Sequence, residues 1–238
     1  MTAPGRPGPL ALVGSGEYLP PLEHVERRLL EGRPPRFVQL ATAAAPEGPA
    51  SLARWHELGR ESAERLGVHQ VVVPVVDRIS ADSDELAELV EGAGLIYLSG
   101  GNPTFLAATL RGSAVSRAID TAWRNGAAVA GCSAGAMAMT DHVPDLRHPF
   151  RPAALGLGIA PHLRVLPHFD RFAGRLPDVL LTRIVDTPPG VTVVGIDEDT
   201  ALVGGPDKWD VMGLRSVWVL TADGRTEHPA GSRLVTAR

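Results

Sequence analysis

The stretch Gly131-Cys132-Ser133-Ala134-Gly135 decides the fold that we predict for this chain. It follows the small and apolar run at 126–130 and leads into 136–139, so the pattern G-x-S-x-G lies where a buried strand would end and a helix begin. A serine in such a turn has a strained backbone that exposes its hydroxyl, and the helix points free N–H groups at the same place. The pattern therefore predicts that Ser133 is a nucleophile; a serine that merely caps a helix in a tight βαβ turn is the alternative.

Cys132 is the only cysteine of the chain, which excludes an intramolecular disulfide and a cysteine-based metal cluster. It directly precedes Ser133, so a thiol nucleophile has to be considered. The central residue of G-x-S-x-G occupies the strained position, and Cys132 occupies a flanking one. We therefore expect Cys132 to be a small buried residue at the end of the strand.

Length and composition indicate one large α/β domain that covers residues 1–238. Hydrophobic residues make up 44% of the chain and charged residues 21%, which is typical of a globular protein. The formal net charge of −4 gives no basic surface that would indicate binding to nucleic acid or to an anionic membrane. No apolar stretch is long enough for a signal peptide or a membrane span, so we expect a cytoplasmic location.

Apolar runs alternate with amphipathic stretches up to about residue 140. The predicted strands lie at 9–14, 36–40, 70–76, 94–98 and 127–130. The predicted helices lie at 22–30, 51–66, 83–91, 103–110 and 113–125. Continuous apolar strands that alternate with helices predict an α/β three-layer sandwich with a mostly parallel central sheet.

The remaining part of the chain has a less regular pattern. We expect a loop at 141–161, a strand at 163–166 and a helix at about 176–185. A strand at 191–196 is expected to pair with 200–203, and 211–212 with 217–220 are expected to form a closing antiparallel edge.

Small or polar turns follow four of the five strands predicted in the regular part. These turns are Gly14-Ser15-Gly16-Glu17, Ala41-Thr42-Ala43, Gly100-Gly101-Asn102 and the turn of Ser133. Ligands of parallel sheets bind beyond the carboxyl ends of the strands. We therefore expect these turns to meet at one edge of the sheet and to form the site there.

His168 is the predicted general base. A serine hydroxyl needs such a base within hydrogen-bonding reach, and the base is itself oriented by an acid. Of the eight histidines, His168 ends a predicted strand at the same edge and lies downstream of the serine. His142, His148 and His162 remain alternatives in the loop region, and a satisfied polar residue remains the alternative for His168.

Four motifs occur in a characteristic order. They are Ser99-Gly100-Gly101-Asn102, the stretch at 131–136, His168-Phe169 with Arg171 and Arg175, and the stretch Gly-Ile-Asp-Glu-Asp-Thr-Ala-Leu at 195–202. In this order the chain resembles the serine peptidase family of dipeptidase E and cyanophycinase, a branch of the class I glutamine amidotransferase-like fold. The resemblance spans roughly residues 94–203 and implies a hydrolase that works through an acyl-enzyme without cofactor or metal.

The resemblance also implies the roles of individual residues. Ser133 would be the nucleophile and His168 the general base, with the N–H groups of Gly101 and Ala134 as the oxyanion hole. Physical chemistry supports the last pair, because the residue after the nucleophile offers a helix N-terminal N–H and a Gly-Gly turn approaches without a Cβ clash.

The third member of the triad is an acid, which the family places between the serine and the histidine. Asp141 and Asp145 are the carboxylates in that interval. Asp145 lies nearer its middle and is our prediction. Glu198, in the turn after the strand at 191–196, is the alternative.

The substrate-binding residues that the resemblance implies are Asn102, Arg171 and Arg175. The two arginines could pair with a substrate carboxylate in a bidentate manner, although solvated arginines at the start of a helix are an equal alternative. The chain departs from cyanophycinases where these have a Gln and an Asp-Gln pair. The corresponding residues here are Pro103, Leu166 and Pro167, so groups that would hold a β-linked aspartyl backbone are missing.

Three functions are therefore open. The first is a serine peptidase or amide hydrolase that cleaves a small peptide or isopeptide. The second is an esterase or thioesterase with the same triad, and the third is a non-catalytic binding member of the fold. The partner that we predict is a small peptide or amide substrate, and a homodimer is left open.

Overall fold

The computed structural model describes residues 6–145, 152–172 and 185–236. Its strands are β1 (Leu10–Val13), β2 (Arg36–Leu40), β3 (His69–Val72), β4 (Leu95–Leu98), β5 (Ala128–Cys132), β6 (His142–Val143), β7 (Ala154–Leu155), β8 (Leu163–Leu166), β9 (Thr192–Ile196), β10 (Thr200–Gly204), β11 (Lys208–Gly213), β12 (Ser216–Thr221), β13 (Gly224–Pro229) and β14 (Arg233–Val235). Its helices are α1 (Glu23–Leu30), α2 (Pro49–Leu66), α3 (Arg78–Ala81), α4 (Asp84–Glu88), α5 (Pro103–Leu110), α6 (Ala114–Arg124), α7 (Ala134–Ala138) and α8 (Phe169–Phe172). Short 3-10 helices occupy Pro20–Leu22 and Thr42–Glu47.

A central sheet has the strand order β14-β11-β10-β1-β5-β4-β2-β3. Strands β1, β5, β4, β2 and β3 pair in parallel, and β10, β11 and β14 extend the sheet antiparallel beside β1. Strands β1, β4 and β5 are buried along their whole length, as expected of parallel strands that are covered on both faces. The prediction of a mostly parallel central sheet is confirmed.

Helices cover both faces of this sheet. On one face, α5, α6 and α7 contribute apolar side chains that include Leu106, Leu110, Ile119 and Met137. On the other face, α1 and α2 contribute Val25, Leu29 and Ala63. Because each helix buries only one apolar stripe, the result is the three-layer arrangement. In the described part of the chain, no helix combines the length and the apolar character that a membrane crossing requires.

A second sheet, with the order β13-β12-β9-β8, was not predicted. The expected pairing of 200–203 with 191–196 is wrong, because β9 pairs with β8 and β12 whereas β10 pairs with β1 and β11. The central residues of β10 are all buried, so this strand lies inside the large sheet instead of closing a hairpin. The expected closing edge is also wrong, since β11 belongs to the central sheet and β12 to the second one.

The segment that was expected to be a loop contains one short antiparallel pair, β6 with β7. Residues 146–151 of that segment lie outside the described residues. Residues 173–184 also lie outside them. The predicted helix at 176–185 therefore falls outside them except for Val185.

The turns after the parallel strands meet at the carboxyl edge of the central sheet, as predicted. Ser133 N donates to Val13 O at 2.9 Å, which joins the turns after β5 and β1. Asn102 N donates to Ala43 O at 2.8 Å, which joins the turns after β4 and β2. This edge carries the candidate site.

Candidate active site

Ser133 lies in a sharp turn between β5 and α7. Its backbone has φ 49° and ψ −106°, a combination that is strained for a residue with a side chain and that marks functional turns. The hydrogen bond from its N–H to Val13 O fixes the turn against β1. The side chain is half-buried at the carboxyl edge of the sheet.

The two glycines of the G-x-S-x-G pattern permit a close approach of strands and helix. A Cβ atom on Gly135 would lie 2.1 Å from the carbonyl oxygen of Leu98 in β4. A Cβ atom on Gly131 would lie 2.5 Å from the carbonyl carbon of Gly135. Because neither backbone atom can move aside, only glycine lets α7 begin directly above β4 and β5.

His168 reaches Ser133 from the second sheet. It follows β8 with a positive φ of 51°, and its Nε2 atom lies 3.1 Å from Ser133 Oγ. This distance is within hydrogen-bonding range. The predicted pair of nucleophile and base is therefore assembled in the structure.

Glu198 occupies the other nitrogen of the His168 ring, with its Oε1 3.0 Å from Nδ1. A carboxylate only accepts hydrogen bonds, so Nδ1 carries the proton and Nε2 is left to accept from the Ser133 hydroxyl. The hydrogen bond from His168, together with Arg171, holds the pKa of Glu198 below its ordinary value. Glu198 is therefore ionised at neutral pH and can stabilise a positive charge on the imidazole.

A set of polar contacts orients Glu198 in turn. Arg171 Nε donates to Glu198 Oε2 at 3.0 Å. The backbone N–H of Glu198 donates to Asp170 Oδ1 at 3.0 Å, and Asp170 also forms an ion pair with Arg215. Both oxygens of the Glu198 carboxylate and its backbone are thus held by neighbouring groups.

The geometry favours Glu198, the alternative to the predicted Asp145, as the acid that orients His168. Asp145 lies half-buried in the segment after β6, whereas the two ring nitrogens of His168 face Ser133 and Glu198. Strands β8 and β9 pair in parallel with Leu166 opposite Gly195. His168 and Glu198, which follow these two strands, therefore lie side by side. This signal was missed in the sequence because the pairing of β8 with β9 was not predicted.

The residues predicted for the oxyanion hole flank Ser133. Gly101 has a φ of 137°, and a Cβ atom on it would lie 2.4 Å from the carbonyl oxygen of Ala43, so the turn requires glycine. Ala134 is the first residue of α7, where the N–H has no partner within the helix. A Cβ atom on the adjacent Gly100 would lie 3.7 Å from Ser133 Cβ, which places this turn beside Ser133.

The predicted substrate-binding residues have other contacts or are not described. Asn102 caps α5, because its Oδ1 accepts from the Phe105 N–H at 3.0 Å and from Thr104 Oγ1 at 2.9 Å. The Nε of Arg171 donates to Glu198, as given above. Arg175 lies outside the described residues.

Glu17 has no role in the sequence predictions, although its turn was expected at this edge. Its Oε1 accepts from the Gly100 N–H at 3.0 Å, and its Oε2 accepts from Cys132 Sγ at 2.7 Å. Burial raises the pKa of Glu17 and raises the pKa of the Cys132 thiol well above its ordinary value. The predicted burial of Cys132 is confirmed, and a buried, protonated thiol is a poor nucleophile.

Comparison with known proteins gives similarities to peptidases. The chain is 41% identical to a peptidase from an acI-B1 actinobacterium, whose crystal structure superposes with a TM-score of 0.88 over 96% of this chain and 97% of that one. A protein from Listeria monocytogenes EGD-e that is named a candidate peptidase E shares the fold, with 18% identity and a TM-score of 0.61 over 87% of this chain and 99% of that one.

Two cyanophycinases are also similar, one from Trichormus variabilis and one from Nostoc sp. Each is 28% identical over an alignment of 169 positions that covers 66% of this chain and 55% of the cyanophycinase. The chain thus spans little more than half the length of these curated relatives. The model of peptidase family S51 matches residues 44–211, which include Ser133, His168 and Glu198. The chain belongs to peptidase family S51.

Proposed function

We propose that this protein is a serine-type peptidase that cleaves an amide bond of a small peptide through an acyl-enzyme. The observation that carries the proposal is the continuous chain from Ser133 Oγ through both ring nitrogens of His168 to Glu198 Oε1, with distances of 3.1 and 3.0 Å. Such an arrangement is what activation of a serine hydroxyl requires. Membership of a peptidase family supports the same reading.

In the first half of the reaction, Ser133 Oγ attacks the carbonyl carbon of the scissile bond while its proton passes to His168 Nε2. The C–N bond then breaks, and His168 returns the proton to the leaving amine. Glu198 stabilises the imidazolium between these two events and keeps Nδ1 protonated. The acyl group remains as an ester on Ser133.

In the second half, a water molecule attacks the ester and gives a proton to His168. The tetrahedral intermediate collapses, the carboxylic acid leaves, and Ser133 recovers its proton from His168. In both halves the N–H groups of Gly101 and Ala134 donate to the oxyanion. One such donor contributes on the order of 10²–10³ in rate.

The surroundings of Ser133 suggest which peptides to test. A Cβ atom on Gly100 would lie 3.7 Å from the indole Cη2 of Trp55 and also 3.7 Å from Ser133 Cβ. Arg171 is exposed over most of its side chain. An apolar group thus lies near Ser133 and a cationic group beside Glu198, so apolar and acidic substrate residues are both candidates.

Labelling with a fluorophosphonate probe tests the proposal. The wild type is expected to react at Ser133, and the Ser133→Ala variant is expected to remain unlabelled. Failure of the wild type to react, under conditions where a control serine hydrolase is labelled, would overturn the proposal.

A substrate screen then separates peptidase from esterase activity. It compares dipeptides with a free N-terminal aspartate, glutamate or apolar residue against p-nitrophenyl esters. The proposal predicts that the best dipeptide has a higher kcat/KM than the esters, relative to their uncatalysed rates. Activity on esters alone would contradict it in favour of an esterase.

A further inference from the structure

Glu17 is a buried carboxyl group that the reaction steps above do not use. It lies in the turn after β1 and is only 6% exposed. Burial of a carboxyl group is costly unless hydrogen bonds compensate. An apolar side chain would fill the same space at a lower cost in free energy. We therefore expect Glu17 to have a role beyond packing.

The first contact of Glu17 is with the oxyanion turn, our name for the turn of Gly100 and Gly101 after β4. Its Oε1 accepts from the N–H of Gly100 at 3.0 Å, and Gly100 directly precedes the proposed donor Gly101. A Cβ on Gly100 would lie 3.1 Å from this oxygen and 3.7 Å from Ser133 Cβ. The carboxyl group of Glu17 therefore lies on the side of this turn that faces Ser133.

The second contact of Glu17 is with the nucleophile elbow, the turn at 131–135. Its Oε2 accepts from the thiol of Cys132 at 2.7 Å, and Cys132 directly precedes Ser133. One carboxyl group thus joins two chain segments that come from different strands, β4 and β5. The segment after β4 carries the proposed donor Gly101. The segment after β5 carries Ser133 and the proposed donor Ala134.

We propose that Glu17 is a positioning residue that holds the Gly100–Gly101 turn against the nucleophile elbow, so that the two oxyanion donors converge on one point. Glu17 does not touch the substrate and acts through the backbone of Gly100. The proposal rests on the serine peptidase function given above. It assigns a catalytic consequence to a carboxyl group outside the triad.

Glu26 offers a matched control. It is another buried carboxyl group, and it also accepts two hydrogen bonds, from the Tyr18 N–H at 3.0 Å and from Ser62 Oγ at 2.7 Å. These contacts join α1 and α2 to the turn after β1 and do not include the elbow or the oxyanion turn. Loss of Glu26 therefore reports the general cost of removing a buried carboxyl group here.

The experiment measures inactivation of the full chain by diisopropyl fluorophosphate, because its phosphoryl oxygen occupies the oxyanion hole during attack by Ser133. The maximal rate constant kinact and the half-saturating concentration KI are determined for Glu17→Met, Glu17→Asp, Glu17→Gln and Glu26→Met. Met fills the volume of Glu without an acceptor, Asp withdraws the acceptor by one methylene, and Gln keeps an acceptor for Gly100.

The expected result is a fall in kinact of about 10²-fold for Glu17→Met, with KI changed by no more than about twofold because the reagent still binds. Glu17→Asp should fall in the same direction, and it decides the question if Glu17→Met does not fold. Glu17→Gln should recover kinact to within about threefold of the wild type because it restores the acceptor. Glu26→Met should lower Tm and leave kinact within about threefold.

Two results would overturn the proposal. One is a wild-type kinact in Glu17→Asp and Glu17→Met, and the other is an equal fall in Glu26→Met, which would mean general destabilisation. Failure of the nucleophilic role of Ser133, on which the proposed function rests, looks different, because the wild type itself would then not react with the reagent.

Discussion

The two halves of the candidate site are built in different ways. Ser133 and the proposed oxyanion donors Gly101 and Ala134 lie in turns after adjacent parallel strands of the central sheet, where a few consecutive residues determine the geometry. His168 and Glu198 come from a second sheet and meet only because β8 pairs with β9. The first half is therefore a property of local sequence, and the second depends on which strands pair.

The carboxyl groups of the two halves also differ in their electrostatics. In the first half, burial raises the pKa of Glu17. Outside the site, burial also raises the pKa of Glu26, to about 7. In the second half, the His168 and Arg171 hydrogen bonds lower the pKa of Glu198. The two buried carboxyl groups serve as hydrogen-bond acceptors in the structure. The partly exposed Glu198, paired with His168 and Arg171, stays charged.

Removal of Ser133 or His168 is the most severe test of the proposal that the two halves work as one unit. Ser133→Ala and His168→Ala should each lower kcat on the best dipeptide by about 10⁴- to 10⁶-fold. The double variant should be no slower than either single variant, because the second residue has nothing left to assist. Additive losses in kcat would show that the two residues act independently.

Replacement of the acid tests the second half alone. Glu198→Gln should lower kcat by on the order of 10³-fold, because a Gln amide facing Nδ1 stabilises the wrong tautomer of His168. The matched variant Asp145→Asn should stay within about threefold of the wild type. A fall in kcat in Asp145→Asn and not in Glu198→Gln would support Asp145 as the acid.

The contrast between the halves explains what could be read from the sequence. The elbow at Ser133 was predictable because its strand, turn and helix are contiguous and its glycines have a steric reason. The parallel strands were predictable because burial on both faces leaves continuous apolar runs. His168 could be predicted as the base because it follows a strand that ends at the expected edge.

What the sequence did not reveal is non-local pairing. The sequences of β10 and β12 are apolar enough to pair with several other strands. Because 191–196 and 200–203 are close in the chain, they were expected to form a hairpin, but they lie in two different sheets. This error hid the register that brings Glu198 beside His168. The preference for Asp145 has another source, the resemblance, which places the acid between the serine and the histidine. Glu17 was overlooked because its partners Gly100 and Cys132 are distant in sequence.

Glu26 permits a test of the electrostatic contrast through stability. Its folded pKa of about 7 lies above its ordinary value of 4.5, so between these pH values the folded state keeps a proton that the unfolded state has lost. The free energy of unfolding therefore falls as pH rises through this window. Glu26→Gln removes this dependence, so its stability relative to the wild type should rise by up to about 3 kcal/mol between pH 4.5 and 7.5.

Urea denaturation at several pH values measures this difference. Glu64→Gln, which replaces an exposed carboxylate on α2, serves as the control and should leave the wild-type pH profile in place. A constant difference between Glu26→Gln and the wild type across the window would contradict the raised pKa of Glu26.

Asn102 separates a structural role from the substrate-binding role that the sequence suggested. Its side chain caps α5, so Asn102→Ala should lower the free energy of unfolding by about 1 kcal/mol. Asn102→Asp keeps an acceptor for the Phe105 N–H and should retain most of the stability. A rise in KM that Asn102→Asp and Asn102→Ala share, without loss of stability in either, would instead favour contact with the substrate.

Replacement of Arg171 should give the smallest change in kcat. It tests whether this exposed residue of the second half contributes to activity. Its side chain is 70% exposed, and an exposed ion pair contributes at most about 1 kcal/mol. Arg171→Ala should therefore lower kcat by no more than about fivefold, since His168 and the Asp170 contact still orient Glu198. Kinetics on an acidic and on a neutral dipeptide distinguish the alternatives: a similar change on both supports a positioning role, whereas a rise in KM confined to the acidic dipeptide would assign Arg171 to the substrate carboxylate.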